Sequence, residues 1–247
     1  MSPIDQPAIP KGATMLVTAA NGFIGSNIVD QFLKLGYKVR GTTRNLEKNA
    51  WMNKLFDAKY GPGKFELVLV PDMRAEGAYD EAVKGVSAVC HTATNFTLSP
   101  NPREVIPDAI QGVLKAMEAA AKEPAVKRFV LCSSAYAAIF PKRNTHVTVT
   151  ADRWNEESIA VANSAEPPYP PELSFSVYAA SKALSEKEAW KFVRENKPGF
   201  VLNTVLPTAV FGGSLDPVGQ GFPSTSNRIV ALFNGDKEPV AGLPPRT

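Results

Sequence analysis

TMLVTAANGFIGSNIVDQFLKLGYKVRGTTR, Thr14 to Arg44, reads as a strand, a glycine turn, a helix and a second strand closed by a basic residue. Met15, Leu16 and Val17 form a short apolar run, after which Ala19, Gly22 and Gly25 recur at regular intervals. Ile24, Ile28, Val29, Phe32 and Leu33 then repeat at helical spacing, so a helix starts at the turn. The first turn of a helix exposes N–H groups that the helix itself cannot satisfy, at the positive end of its dipole. A pyrophosphate fits there, and small residues let it come close. Ala19, Asn21, Gly22, Phe23, Ile24 and Gly25 are therefore the predicted cradle of a dinucleotide. Lys38 to Thr43 supplies the second strand of the βαβ unit. Ala19 stands where the usual pattern has its first glycine, and its methyl group is expected to weaken the turn without abolishing binding.

The end of that second strand bears on the choice of cofactor. A site preferring NAD places an acidic residue there for the ribose 2′-hydroxyl, whereas this chain has Thr42, Thr43, Arg44 and Asn45, with Lys48 shortly after. A guanidinium suits a 2′-phosphate through paired, charge-assisted hydrogen bonds. NADPH is thus favoured over NADH, with Arg44 and Lys48 as its contacts.

The chain has 247 residues, 44% of them hydrophobic, enough for one α/β unit with a large core. Lys and Arg number 27 against 24 Asp and Glu, scattered rather than striped, which speaks against nucleic acid. No apolar run is long enough for a bilayer, and the opening MSPIDQPAIPK lacks the apolar stretch of a signal peptide. A cytoplasmic protein without a membrane partner is expected. Cys90 and Cys132 read as reduced buried thiols, and His91 and His146 give no metal-ligand spacing, so no metal is expected.

Further strands are predicted at Phe65 to Val70, Val86 to His91, Arg128 to Cys132 and Val201 to Leu206, separated by helical patterns. The fold class is α/β, a Rossmann-type doubly wound parallel sheet with a small C-terminal substrate-binding portion. Val105, Ile106, Ala109, Ile110, Val113, Leu114 and Met117 mark a long crossover helix closed by Pro124. The expected organisation is an extended arm at 1–11, a nucleotide-binding domain at 12–207 and a partial substrate-binding region at 208–247. Within the domain, residues 141–174 read as a proline-rich surface excursion with little regular structure.

SVYAASK places Tyr178 and Lys182 four residues apart, on one face of a helix running from about Tyr178 to Glu195. A neighbouring ammonium is expected to lower the pKa of the phenol from about 10, making it a proton donor to a substrate oxygen. Upstream, RFVLC ends in Ser133 and Ser134, at the carboxyl edge where open α/β sheets bind ligands. A serine hydroxyl there can bond a carbonyl oxygen.

TAANGFIGS, VCHTAT, FVLCSSAYA, WNEES, VYAASK and LNTVLPTAVFG together resemble an extended short-chain dehydrogenase/reductase, within the NAD-dependent epimerase/dehydratase superfamily. The nearest subgroup is the dihydroflavonol-reductase-like aldehyde and ketone reductases, and the resemblance covers essentially the whole chain. It implies that Ser134 orients the substrate carbonyl, Tyr178 donates the proton, and Lys182 supports Tyr178 and the nicotinamide ribose. Ser133 is then a strand-end hydroxyl bonded to backbone, and His91 is structural. By the same resemblance Asp72 and Met73 lie against the adenine, Thr92, Ala93 and Thr94 pass beneath the ribose, and Pro207 to Val210 approach the nicotinamide. Phe96, Leu98, Tyr136, Thr208, Ala209 and Phe211 are candidates for the pocket wall.

The implied activity is reduction of an aldehyde or ketone with NADPH, the partner being a small carbonyl compound and a homodimer being possible. Two departures stand out. Lys115 occupies a position where the family has Asn, which is expected to alter the polar network behind the catalytic residues. Family members also normally continue for many tens of residues past LFNGDKEPVAGLPPRT. Two other readings stay open: a catalytically silent dinucleotide-binding regulator or partner subunit, and a nucleotide-sugar epimerase or dehydratase, against which the missing acidic residue near Thr43 counts.

Overall fold

The sheet grows outward from the stretch quoted above, in a computed structural model that describes residues 7–140 and 144–236. β1 (Thr14–Val17) leads through the glycine turn into α1 (Phe23–Lys34), and β2 (Lys38–Thr43) returns beside β1. α2 (Trp51–Tyr60) and β3 (Phe65–Leu69) complete one half. The chain then crosses to the other side of β1. There β4 (Ala88–His91), α3 (Pro102–Lys122), β5 (Arg128–Cys132), α4 (Ala135–Ala138), α5 (Glu156–Ser164), α6 (Ser174–Asn196), β6 (Val201–Val205) and α7 (Thr225–Phe233) follow.

The six strands pair in parallel in the order β3-β2-β1-β4-β5-β6, the Rossmann-type doubly wound sheet expected from the sequence. Strand order reverses between β1 and β4, so a crevice opens at their carboxyl ends. Successive residues of a strand face opposite sides, and both sides of this sheet are covered. Leu16 joins Val89, Phe129 and Leu131 beneath α3 and α6, with Met117 and Ala189. Val17, its neighbour, joins Val39 and Cys90 beneath α1 and α2, with Val29, Met52 and Phe56. Each fully buried side chain of this size contributes ~1.5–3 kcal/mol. α3 and α6 pack against each other, and both bury small residues, Ala109, Gly112, Ala116 and Ala120 on α3 and Ala179, Ala180 and Ala183 on α6.

Several boundaries differ from expectation. α6 starts at Ser174, four residues before Tyr178, which places Tyr178 in its second turn. α3 extends beyond its apolar stripe because Asn101 caps it, accepting from the Arg103 N–H at 3.1 Å, and Pro102 suits its first position. α2 has a weak periodic signal, since it buries only Met52 and Phe56. The excursion at 141–174 is a correction: it contains α5, capped by Asn155, whose side chain accepts from Ser158 N–H at 3.0 Å. Asn155 followed by Glu156 and Glu157 is a cap with an acidic first turn, a signal the prolines around it obscured.

Residues 1–6 of the expected arm, 141–143 of the excursion and 237–247 of the expected substrate region lie outside the described residues. The arm's Ile9 is buried against Met15 and Ala88, and its carbonyl accepts from the Tyr37 hydroxyl at 2.9 Å. Cys90 and Cys132 are free thiols. Among the described residues no helix is long and apolar enough to cross a membrane.

Candidate active site

The glycine turn is built to bring backbone close to a ligand. A Cβ on Gly25 would stand 2.4 Å from the Ala19 carbonyl oxygen and 3.0 Å from Ala20 Cα, so only glycine lets α1 start this close to β1. Gly22 is the N-cap of α1 and has no side chain to offer the first-turn N–H groups, which leaves them to a ligand. Ala19 takes a left-handed backbone, φ 47°, where a side chain costs ~1–2 kcal/mol per residue. Thr42 holds the turn from β2: its hydroxyl accepts from Ala19 N–H at 3.1 Å and its carbonyl from Ala20 N–H at 2.9 Å. The position where an acidic residue was sought is therefore occupied by a buried structural threonine.

Beyond it, Arg44, Asn45 and Lys48 are exposed. Asn45 Oδ1 accepts from the Lys48 N–H at 2.8 Å, and the buried Asn49 amide donates to Thr43 Oγ1 at 2.8 Å, which stiffens the loop. Arg44 forms no ion pair with any described residue. Across the crevice, Asp72 is gripped by Arg74 at 2.9 and 3.0 Å, which holds its carboxyl below the usual carboxylate range. Arg74 also reaches Asp108 at 2.8 Å. Met73 turns inward and packs on α3, where a Cβ on Gly112 would meet its sulfur at 3.0 Å.

Beside the end of β4 stands a central residue that the sequence reading missed, Thr18, which directly follows β1. Fully buried, its hydroxyl accepts from Thr92 N–H at 2.9 Å and Ala93 N–H at 3.0 Å, and its carbonyl accepts from the Thr92 hydroxyl. Two donors already satisfy the Thr18 oxygen, so its hydrogen points to His91 Nδ1, 3.2 Å away. Thr94 follows, half-buried, on the same segment.

His91 lies between the rings of Tyr79 and Phe129, with both centroids at 6.1 Å. Burial, reinforced by the nearby charge of Lys182, pushes its pKa from 6.5 down to about 3. Between these values the unfolded chain binds a proton that the folded chain refuses. Stability therefore falls as pH drops through that window, at up to ~1.4 kcal/mol per pH unit. Urea unfolding at pH 7 and pH 5 should show a loss about 2 kcal/mol smaller in His91→Phe than in the parent chain. Equal losses would remove His91 from the acid limb.

Ser134, Tyr178 and Lys182 converge at the end of β5. Ser134 is the N-cap of α4, accepting from Tyr136 N–H at 3.2 Å, and its hydroxyl faces the Tyr178 phenol closely enough to favour ionisation. Burial opposes that influence and outweighs it, so the Tyr178 pKa lies above its ordinary 10.0 rather than below, a correction to the sequence expectation. Lys182 is buried, its pKa is pushed down by desolvation, and its Nζ donates to the Cys132 carbonyl at 3.4 Å.

Two further expectations are corrected. Ser133 is bonded to backbone through its N–H, which donates to Val205 O at 2.9 Å, while its buried hydroxyl has no partner among the described residues. Lys115 turns away from Ser134, Tyr178 and Lys182, pairing with Glu76 at 2.6 Å and Glu118 at 2.9 Å on the rim of α3.

Aromatic rings wall the phenol. Phe96, 52% exposed, meets Tyr178 edge-on at 5.2 Å, and Tyr136 does so at 6.3 Å while stacking on Phe140 at 5.1 Å. Asn155, which the sequence marked only as part of WNEES, secures this wall: buried, it donates from Nδ2 to Tyr136 O at 2.8 Å. Pro207 O accepts from Ala135 N–H at 2.9 Å, tying the start of the 207–210 segment to α4. Thr208 is exposed, Ala209 and Val210 are half-buried, and the Val210 carbonyl accepts from Thr225. Leu98 is half-buried and Phe211 exposed, and neither makes a ring contact with Tyr178.

Known proteins are similar to this chain. Aldehyde reductase 2 of Sporidiobolus salmonicolor is 47% identical over 246 residues, covering 99% of this chain and 71% of its own. Ketoreductase adrE of Penicillium rubens is 38% identical over 240 residues, covering 96% and 68%. The solved structure of the yeast methylglyoxal/isovaleraldehyde reductase Gre2 complexed with NADPH superposes with a TM-score of 0.66 at 32% identity, over 81% of this chain. The chain spans 58% of that reductase's length. The sequence model of the NAD dependent epimerase/dehydratase family matches residues 15–233, and the chain belongs to that family, among its aldehyde- and ketoreductase-like members.

Proposed function

We propose that this chain carries the nucleotide-binding and catalytic groups of an NADPH-dependent reductase of small aldehydes or ketones. One observation carries the reading: a serine hydroxyl, a half-buried phenol and a buried ammonium meet beside the crevice where strand order reverses. The residues present fit a dinucleotide, because Gly25 leaves the space that any Cβ would fill and the N-cap of α1 carries no competing side chain. The exposed Arg44, without an ion pair among the described residues, fits a 2′-phosphate, and the NADPH carried by the yeast relative agrees.

When bound, the cofactor supplies the hydride that reduces a carbonyl carbon. Ser134 donates a hydrogen bond to the carbonyl oxygen and fixes its direction. Tyr178 hands its proton to the same oxygen. Burial suits this role, since a phenol with a raised pKa stays protonated at neutral pH. The Lys182 ammonium would stabilise the phenolate left behind and would hold the ribose hydroxyls. Phe96 and Tyr136 hold the phenol and shield it from water. The free thiols suit a reducing, cytoplasmic setting.

NADPH oxidation followed at the nicotinamide absorbance, with a panel of aldehydes, β-ketoesters and aryl ketones, tests the activity. Binding without turnover on every compound would replace it with a silent dinucleotide-binding protein. Arg44→Ala should weaken NADPH binding about tenfold, the size of one charge-assisted hydrogen bond, and leave NADH binding unchanged. Equal losses for both cofactors in a titration of nucleotide fluorescence would reject the phosphate role.

A further inference from the structure

We propose that Gln220, reaching back from the C-terminal segment, is a positioning residue that holds the glycine turn in its dinucleotide-binding shape; this rests on the reading of the crevice as an NADPH site. Its side-chain nitrogen lies 2.7 Å from Ser26 Oγ, 3.2 Å from Asn21 O and 3.3 Å from Gly22 O, and donates toward all three. Ser26 is fully buried and passes its own hydrogen to Phe23 O at 3.2 Å. One amide thus secures, directly or through Ser26, the carbonyls of Asn21, Gly22 and Phe23.

The consequence follows from peptide planarity. Each carbonyl shares a rigid plane with the N–H of the next residue. Fixing these three carbonyls aims the N–H groups of Gly22, Phe23 and Ile24, and the latter two open α1 where an anion would sit.

The segment that carries Gln220 is itself firmly seated. Ser214 donates to Gln220 Oε1 at 2.9 Å, which fixes which way the amide faces. Asp216 closes a turn by accepting from Val218 N–H and Gly219 N–H, each at 3.0 Å, and its carbonyl takes Gln220 N–H at 2.8 Å. Gly219 lies so near α2 that a Cβ there would stand 2.6 Å from Trp51. Leu215 packs into the core beneath α1 and α2. A residue nearly two hundred positions later in the chain therefore shapes the first nucleotide-binding turn.

Gln220→Met keeps length and neutrality and removes the donors. Hydrogen exchange of the cofactor-free protein should speed up about tenfold or more at Gly22 and Ser26, whose N–H groups donate to Ala19 O and Gly22 O, with little change in the sheet, as expected when about two hydrogen bonds are lost locally. NADPH should bind about tenfold more weakly, with the substrate KM unchanged. Unaltered exchange at the turn, or unaltered NADPH affinity, would overturn the proposal, as would a uniform rise in exchange across the molecule. Should Gln220→Met fail to fold, Ser214→Ala frees the amide oxygen and should weaken NADPH binding about threefold while sparing the fold. No change in Ser214→Ala would then count against the proposal. If the parent chain binds no NADPH, the functional reading fails, and exchange at the turn still decides whether Gln220 holds it.

Discussion

Replacing Tyr178 with phenylalanine is expected to lower turnover by ~10²–10⁴-fold, the usual contribution of a positioned general acid. NADPH affinity should stay within about twofold of the parent, because the ring keeps its place against Phe96 and Tyr136 and only the hydroxyl leaves. The expectation is sharp because the phenol is protonated by its surroundings. Burial raises its pKa, Ser134 partly offsets this, and Lys182 is held by the Cys132 carbonyl. Reduction should consequently show no loss of rate from Tyr178 ionisation as pH rises through neutrality. Steady-state rates from pH 6 to 9 at saturating NADPH check both points. Persisting turnover in Tyr178→Phe would show that another group supplies the proton.

Gly25→Ala is expected to abolish measurable NADPH binding and to destabilise the fold. The added Cβ would stand 2.4 Å from the Ala19 carbonyl oxygen, a backbone atom that cannot swing aside as a side chain would. Either α1 moves away from β1, which misaims its first N–H groups, or the turn opens and its bonds to Thr42 are lost. Overpacking of this kind costs ~1–3 kcal/mol. A urea midpoint and an NADPH titration on the same sample separate the two effects. Normal affinity in a folded Gly25→Ala protein would show that the turn does not approach a ligand as closely as the structure implies.

Much of this site is legible in short segments because its chemistry is local. The turn from Ala19 to Gly25, the pair Tyr178 and Lys182, and Ser134 at a strand end each sit within one element and its immediate neighbour. Strands β2 and β5 were read to the residue, and the others to within two residues, because buried parallel strands are apolar runs with clear ends. α2 and α5 were harder, since one buries two residues and the other three, too few for a periodic pattern to stand out.

The electrostatic expectation for Tyr178 failed for a related reason. Spacing on a helix tells which side chains share a face, but the direction of a pKa shift depends on how deeply both are buried and on what else each one bonds. Lys115 is a similar case, because only packing shows that its partners are Glu76 and Glu118.

The amino-acid sequence by itself determined the parallel α/β architecture, the place of the nucleotide crevice and the residues that meet at its mouth. These follow from apolar periodicity, from glycines where a side chain would not fit, and from the fixed geometry of one helical turn. Tertiary structure alone decided what Thr18, Asn155 and Gln220 do. Their hydrogen bonds join segments far apart in the chain, and a polar side chain carries no sign of its distant partner until folding brings the two together.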